Sequence, residues 1–140
     1  MRTCILYLSR TGNTRRLAEA ISDLLNAPVF DIAKSEPSII KDFDLLILGT
    51  PVTGFQPAPE VLSFVKRLPE GEGKKTILFC TYAVAKGSTF KILEKELATK
   101  GYRTILSVSK KGVKPSKADF ADVLDEIARA VEVQTRRSEN

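Results

Sequence analysis

Histidine and tryptophan are absent from this chain, and cysteine occurs only twice. Zinc and iron–sulfur sites draw their ligands mainly from cysteine and histidine, so two cysteines without any histidine cannot complete either kind of site. Both cysteines, Cys4 and Cys80, lie within apolar runs, which indicates that they are core residues. The sequence therefore predicts no metal site.

Long apolar runs are also missing. No segment approaches the roughly 20 apolar residues needed to cross a bilayer, and no cationic stretch followed by an apolar one opens the chain. We therefore expect no membrane insertion and a cytoplasmic location. The length fits a single domain over residues 1–140, and a hydrophobic share of 43% is enough to fill an ordinary core.

Acidic residues are the minority among the charged ones. The chain has 17 Asp and Glu against 22 Lys and Arg, for a net charge of +5. This balance suits nucleic acid, an anionic membrane surface or acidic protein partners, and it is equally compatible with a solvated surface. The basic residues are spread along the chain without interleaved aromatic side chains, so no nucleic-acid-binding module is indicated.

Strand and helix patterns alternate along the whole chain. Short apolar runs predict five strands, at residues 3–8, 28–32, 44–49, 75–81 and 102–108. Apolar spacing of three and four predicts helices at residues 13–26, 59–68 and 88–100, and a final helix that Pro115 and Ser116 open.

This alternation specifies an α/β fold, a doubly wound parallel sheet with helices on both faces. We expect the strand order 2-1-3-4-5. In that order strand three separates Cys4 from Cys80 by two strand spacings, or roughly 10 Å, which is too far for a disulfide.

The segment between the first strand and the first helix has the residues to bind a phosphate. A strand-to-helix turn gathers backbone amides and the positive end of the helix dipole around one point. Three hydroxyl groups are expected to converge there, and a glycine lets the backbone approach closely. The segment consists of Ser9, Arg10, Thr11, Gly12, Asn13 and Thr14.

Other phosphate-binding motifs are absent from the same place. The loop lacks Gly-x-x-x-x-Gly-Lys-[Ser/Thr], which argues against a nucleoside triphosphate. It also lacks Gly-x-Gly-x-x-Gly, so Asp31, about 20 residues further on, is treated as an ordinary strand residue. A receiver domain needs acidic residues at the ends of strands one and three, where this chain has Ser9 and Thr50. This difference argues against a phosphoacceptor signalling domain. With nucleoside triphosphates and dinucleotides disfavoured, the candidate ligands are those that carry one phosphate.

Two further loops should face the phosphate-binding one. In doubly wound sheets, ligands bind beyond the carboxyl ends of the strands where the strand order reverses, here between strands one and three. Residues 50–59 are expected to form a long loop after strand three, and its first part, residues 50–55, then lies beside residues 9–14, together with residues 81–87 after strand four. With Phe55 and Tyr82 they offer a place for a flat apolar ring with polar edges.

The chain resembles the short-chain flavodoxins over essentially its whole length. Their phosphate motif, [Ser/Thr]-x-Thr-Gly-x-Thr, is matched by Ser9, Thr11, Gly12 and Thr14. Residues 43–51, Phe-Asp-Leu-Leu-Ile-Leu-Gly-Thr-Pro, resemble the family's third strand and the entry to its ring-binding loop. The resemblance implies a flavodoxin-like fold with FMN as the cofactor.

The resemblance also implies the contacts with FMN, and it places the Thr53–Gly54 peptide beside flavin N5. On the phosphate it places Ser9, Arg10, Thr11, Gly12, Asn13 and Thr14. On one side of the ring it places Thr50, Pro51, Val52, Thr53, Gly54 and Phe55. On the pyrimidine side it places Thr81, Tyr82, Ala83 and Gly87.

The chain departs from familiar flavodoxins around the ring. Those proteins stack a tryptophan and a tyrosine on the flavin and flank it with acidic residues, whereas this chain offers Phe55 and Tyr82 and carries Lys86. A positive field should stabilise the fully reduced, anionic flavin. We therefore expect a higher potential for the second one-electron reduction than in acidic relatives.

Three functions remain open. The first is an FMN-binding electron carrier between redox partner proteins with an acidic docking face, in which no side chain acts as a catalytic residue. The second is a small FMN-dependent reductase of a quinone or a similar acceptor, for which the small residues 83–85 leave room above the ring. The third is a flavodoxin-like interaction module with weak or no FMN binding.

Overall fold

The computed structural model describes residues 1–112 and 117–139 of the chain. Six strands and four α-helices are defined within these residues. The strands are β1 (Thr3–Tyr7), β2 (Val29–Asp31), β3 (Leu45–Thr53), β4 (Gln56–Pro57), β5 (Lys75–Tyr82) and β6 (Arg103–Lys111). The helices are α1 (Asn13–Leu25), α2 (Pro59–Lys66), α3 (Thr89–Thr99) and α4 (Ala121–Glu139).

Five parallel strands form the sheet in the order β2-β1-β3-β5-β6. Since β5 and β6 are the fourth and fifth of these strands, the predicted order 2-1-3-4-5 is confirmed. The central strand β3 separates β1 from β5, and both cysteines are free and buried, as expected. Burial raises the pKa of the Cys4 and Cys80 thiols to about 12, so both stay protonated at neutral pH.

Helices cover both faces of the sheet, as predicted. Side chains of α1 and α4, such as Leu17 and Ile127, pack on one face with Ile47 of the central strand. Side chains of α2 and α3, such as Phe64, pack on the other face with Leu46. Because both faces are buried, the central strands are continuous apolar runs rather than alternating ones.

The segment that follows the third predicted strand differs from the prediction. Residues 50–59 were expected to form a loop, but β3 continues to Thr53 and turns back into the short strand β4. The two strands pair antiparallel, with Val52 opposite Pro57. Gly54 and Phe55 form the two-residue turn, with positive φ angles of 58° and 62°. A phenylalanine in this conformation is uncommon, which hid the hairpin from sequence reasoning.

Two of the connections contain 3₁₀ helices. Residues 35–43, between β2 and β3, contain a 3₁₀ helix at Pro37–Asp42. A second 3₁₀ helix at Lys117–Phe120 leads into α4. The predicted helix opening at Pro115 and Ser116 lies outside the described residues. None of the described helices combines the length and apolar character needed to span a bilayer.

Candidate functional site

The first turn of α1 is capped by the side chain of Ser9. Its hydroxyl oxygen accepts hydrogen bonds from the backbone amides of Gly12, at 3.1 Å, and Arg15, at 3.2 Å. Because a hydroxyl has two acceptor positions and one donor, Ser9 keeps its hydrogen for a ligand. The serine therefore shapes the loop and still offers a donor to an anion.

Backbone amides at the start of α1 lack partners. Those of Thr11, Asn13 and Thr14 have no hydrogen-bond acceptor within residues 1–112 and 117–139. Gly12 adopts a φ of +98°, a left-handed conformation that favours glycine. Three unpaired amides at the positive end of a helix dipole form a suitable place for a phosphate, so the residues present fit the predicted group.

Arg10 of the same loop is held by an ion pair. Its guanidinium donates to the Glu60 carboxylate of α2 at 2.8 Å. This hydrogen bond lowers the pKa of Glu60 below its ordinary value. Both side chains are about half exposed, so the pair adds little to stability but orients Arg10. Sequence reasoning missed Glu60, whose acidic position in the first turn of α2 was the available signal.

Thr14 connects the first turn of α1 to the carboxyl end of β5, where the structure places Thr81 in the strand rather than in the loop after it. The hydroxyl groups of Thr14 and Thr81 lie 2.7 Å apart, and both residues are buried. Of the three hydroxyl groups that were predicted to converge, those of Ser9 and Thr14 already make hydrogen bonds within the protein. The hydroxyl of Thr11 has no partner among the described residues.

The hairpin formed by β3 and β4 is fixed at its base by Thr50. The fully buried hydroxyl of this threonine donates to the Pro51 carbonyl at 2.8 Å and accepts from the Ala58 amide at 3.1 Å. One side chain therefore joins both ends of the hairpin. This leaves the turn at Gly54 and Phe55 to project from the carboxyl end of the sheet.

The hairpin turn contacts the segment between β5 and α3. The Phe55 carbonyl accepts a hydrogen bond from the Ser88 amide at 2.9 Å. A Cβ atom on Gly87 would lie only 2.3 Å from the same carbonyl oxygen, so the close approach requires glycine at that position. The structure thus assigns Gly87 a packing role between the two loops.

All three predicted loops contribute to one cavity of about 220 Å³ at the carboxyl end of the sheet. Its lining residues are Arg10, Thr11, Asn13, Pro51, Val52, Thr81, Tyr82, Ala83 and Gly112. A neighbouring cavity of about 190 Å³ shares two of these residues and is lined by Val52, Gly54, Phe55, Ala83, Val84 and Ala85. The remaining predicted residues, Ser9, Gly12, Thr14, Thr50, Thr53 and Gly87, are not among the lining residues of either cavity.

A fourth segment, not predicted, also borders the larger cavity. Gly112 follows β6, and its carbonyl accepts a hydrogen bond from the Asn13 side chain at 3.1 Å. Its amide donates to the Tyr82 carbonyl, also at 3.1 Å. A glycine just beyond the carboxyl end of a strand was the only signal in the sequence.

Fold and cavity together define a doubly wound α/β protein with a cavity at the switch point of its sheet. The chain also matches the family model described as a flavodoxin domain, over residues 4–129. It therefore belongs to the flavodoxin domain family, as its sequence suggested.

Other known proteins are similar to this chain in sequence or in fold. An uncharacterized protein of Methanocaldococcus jannaschii is 30% identical over 108 residues, which are 75% of this chain and 71% of the relative. The structure of oxidised Flavodoxin 1 from Bacillus cereus is similar over 94% of this chain and 98% of that one, with a TM-score of 0.79 and 23% identity. A flavoprotein from Lactobacillus acidophilus, solved in complex with FMN, is similar over 77% of this chain and 92% of that one, with a TM-score of 0.62 and 16% identity.

Proposed function

We propose that this chain binds FMN and carries electrons between redox partner proteins. The observation that carries the proposal is the set of unpaired amides at Thr11, Asn13 and Thr14, of which Thr11 and Asn13 line a cavity that all three predicted loops share. Bound FMN would supply the one- and two-electron chemistry. The protein's own residues bind the cofactor, orient it and set the charge around it.

The phosphate would be held by residues 9–14. The amides of that segment and the hydroxyl groups of Ser9 and Thr11 are donors with hydrogens to offer, which suits a dianion. Arg10 lines the cavity and adds a positive charge that Glu60 partly balances. Support for FMN in particular also comes from the Lactobacillus acidophilus flavoprotein, whose structure contains it.

The flavin ring would lie between the hairpin and the loop after β5. The two cavities there share Val52 and Ala83, and their volumes of about 220 and 190 Å³ together fall in the range of small-molecule sites. Tyr82 lines the first cavity and Phe55 the second, so each offers an aromatic face. No described side chain is needed as an acid, a base or a nucleophile.

The surface around the cavities suits an acidic partner protein. Phe55 is 55% exposed and Val84 is 75% exposed, so the two loop tips present apolar side chains. Lys86, in the loop after β5, and Lys111, which pairs with Tyr82 in the register of β5 and β6, are exposed cations. An apolar centre with a positive rim complements an acidic docking face, and such contacts are small and weakened by salt.

Titration of FMN into the flavin-free protein tests the proposal. We expect quenching of FMN fluorescence and a flavin absorbance spectrum in the complex. Thr11→Val should weaken FMN binding about tenfold, because a hydrogen bond to a charged group is lost. Thr99→Val, on the exposed surface of α3, serves as the matched control. A protein that neither quenches FMN nor acquires its spectrum is instead an interaction module.

A reductase is the second candidate, and one observation favours it. The cavity beside Phe55 is lined only by apolar side chains and glycine, and the residues at 83–85 are small. A neutral quinone would fit this chemistry. Turnover of a nicotinamide nucleotide with a quinone by the FMN-loaded protein would select this function. Absence of turnover, with reversible reduction of the bound flavin, would leave the electron carrier.

A further inference from the structure

The side chain of Asn13 makes hydrogen bonds within the protein, and the residue also lines the cavity. Asn13 is the first residue of α1 and is only 8% exposed. Its amide nitrogen donates to the Gly112 carbonyl at 3.1 Å, and its amide oxygen accepts from the Arg16 guanidinium. Two of its hydrogen-bonding groups therefore serve to connect α1 with the segment after β6.

The connection continues from Gly112 to Tyr82. The Gly112 amide donates to the Tyr82 carbonyl at 3.1 Å. Asn13, Gly112 and Tyr82 also line the same cavity. A path of two hydrogen bonds thus joins the phosphate-binding turn to the aromatic residue that faces the proposed ring site.

We infer that Asn13 is a positioning residue, which holds Tyr82 in place through Gly112 and makes Gly112 a fourth wall of the flavin site. The inference rests on the proposed function for its effect on flavin. The hydrogen-bond path itself belongs to the flavin-free protein. Asn13 therefore acts on the ring site in addition to any contact that its backbone amide makes with phosphate.

Asparagine is suited to this position because the two partners need opposite groups. The Gly112 carbonyl needs a donor, and the Arg16 guanidinium needs an acceptor. Aspartate would keep the acceptor for Arg16 but place a carboxylate oxygen against the carbonyl. Alanine would remove both bonds without adding charge. Asn13→Asp and Asn13→Ala thus share the loss of the Gly112 bond and differ in charge.

Lumiflavin, which has the flavin ring but no phosphate, separates the two roles of Asn13. We expect Asn13→Ala and Asn13→Asp to bind lumiflavin about fivefold more weakly than the wild type, since each loses the path to Tyr82. Ser22→Ala is the matched control, because it loses a 2.6 Å hydrogen bond to Ala27 at the other end of α1. Its affinity for lumiflavin should equal that of the wild type. If the Asn13 variants bind FMN more weakly but bind lumiflavin as tightly as the wild type does, the inference is overturned.

Amide exchange in the flavin-free protein tests the path without any cofactor. We expect the Gly112 amide to exchange with solvent about tenfold faster in both Asn13 variants than in the wild type and in Ser22→Ala. Unchanged exchange would overturn the inference even if FMN binds. If the wild type binds neither flavin, the proposed function fails and the role of Tyr82 fails with it, whereas faster exchange would still show the path.

Discussion

The hydroxyl oxygens of Thr14 and Thr81 lie 2.7 Å apart in the buried interior, although 67 positions separate the two residues in the chain. Thr14 belongs to the first turn of α1, and Thr81 to the carboxyl end of β5. The bond therefore ties the first turn of α1 to the carboxyl end of β5, on the far side of the central strand. Either hydroxyl can donate, and the other hydrogen remains for a further acceptor.

Once one of these hydroxyl groups has been removed, removing the other should cost little further stability. Thr14→Val or Thr81→Val leaves the partner hydroxyl buried without its bond, which we expect to lower the free energy of unfolding by about 1–2 kcal/mol. The double variant should be about as stable as either single one. Urea unfolding of all four proteins measures the coupling, and simple additivity of the two losses would contradict it.

Gly87→Ala should separate the hairpin turn from the loop after β5. The new Cβ would meet the Phe55 carbonyl at 2.3 Å, and the residue keeps a φ of +55°. We expect a loss of about 2–3 kcal/mol in the free energy of unfolding. Gly54→Ala is the control, since its φ is +58° but no atom lies within 4 Å of the new Cβ. Its loss should stay near 1 kcal/mol. If Gly87→Ala and Gly54→Ala lose the same free energy of unfolding in thermal or urea unfolding, the positive φ angle alone accounts for the loss.

Positive charge near the site should raise the potential of bound FMN. Lys111 lies opposite Tyr82 in the register of β5 and β6, and Lys86 is exposed in the neighbouring loop. Neutralising either with glutamine should lower the potential of the second one-electron reduction by about 20 mV at low salt. Lys41→Gln, before the start of β3 at the opposite end of the sheet, should leave it unchanged. Potentiometric titration compares the three variants with the wild type. Equal potentials in all four proteins would contradict an effect of positive charge near the site.

Alkaline stability should depend on Tyr102. Its hydroxyl donates to the Pro69 carbonyl at 2.6 Å, and burial raises its pKa from 10.0 to about 12. Because the folded state holds this proton more tightly, the contribution of Tyr102 to the free energy of unfolding is complete below pH 10 and is lost as pH rises towards 12. Tyr102→Phe should lower the free energy of unfolding at pH 8 by about 1 kcal/mol and flatten its decline from pH 10 to 12. An unchanged decline in urea unfolding would show that other groups cause it.

Local patterns predicted most of the fold. The apolar runs at β1, β3 and β5 are buried on both faces, so their composition alone indicated central parallel strands. The motif at residues 9–14 indicated an anion-binding turn, because glycine and hydroxyl residues between a strand and a helix act through local geometry. The hairpin at residues 50–57 was missed, since its turn relies on a strained Phe55 that contacts Ser88.

By itself, then, the sequence determined the alternation of strands and helices and the three segments that meet at the site. These depend on apolar spacing and turn residues, which act over a few neighbouring positions. Only the tertiary structure decided that Arg10 is paired with Glu60, that Gly87 supports Phe55, and that Gly112 joins the site. Each of these contacts joins residues that are distant in the chain, and only packing of the folded sheet brings them together.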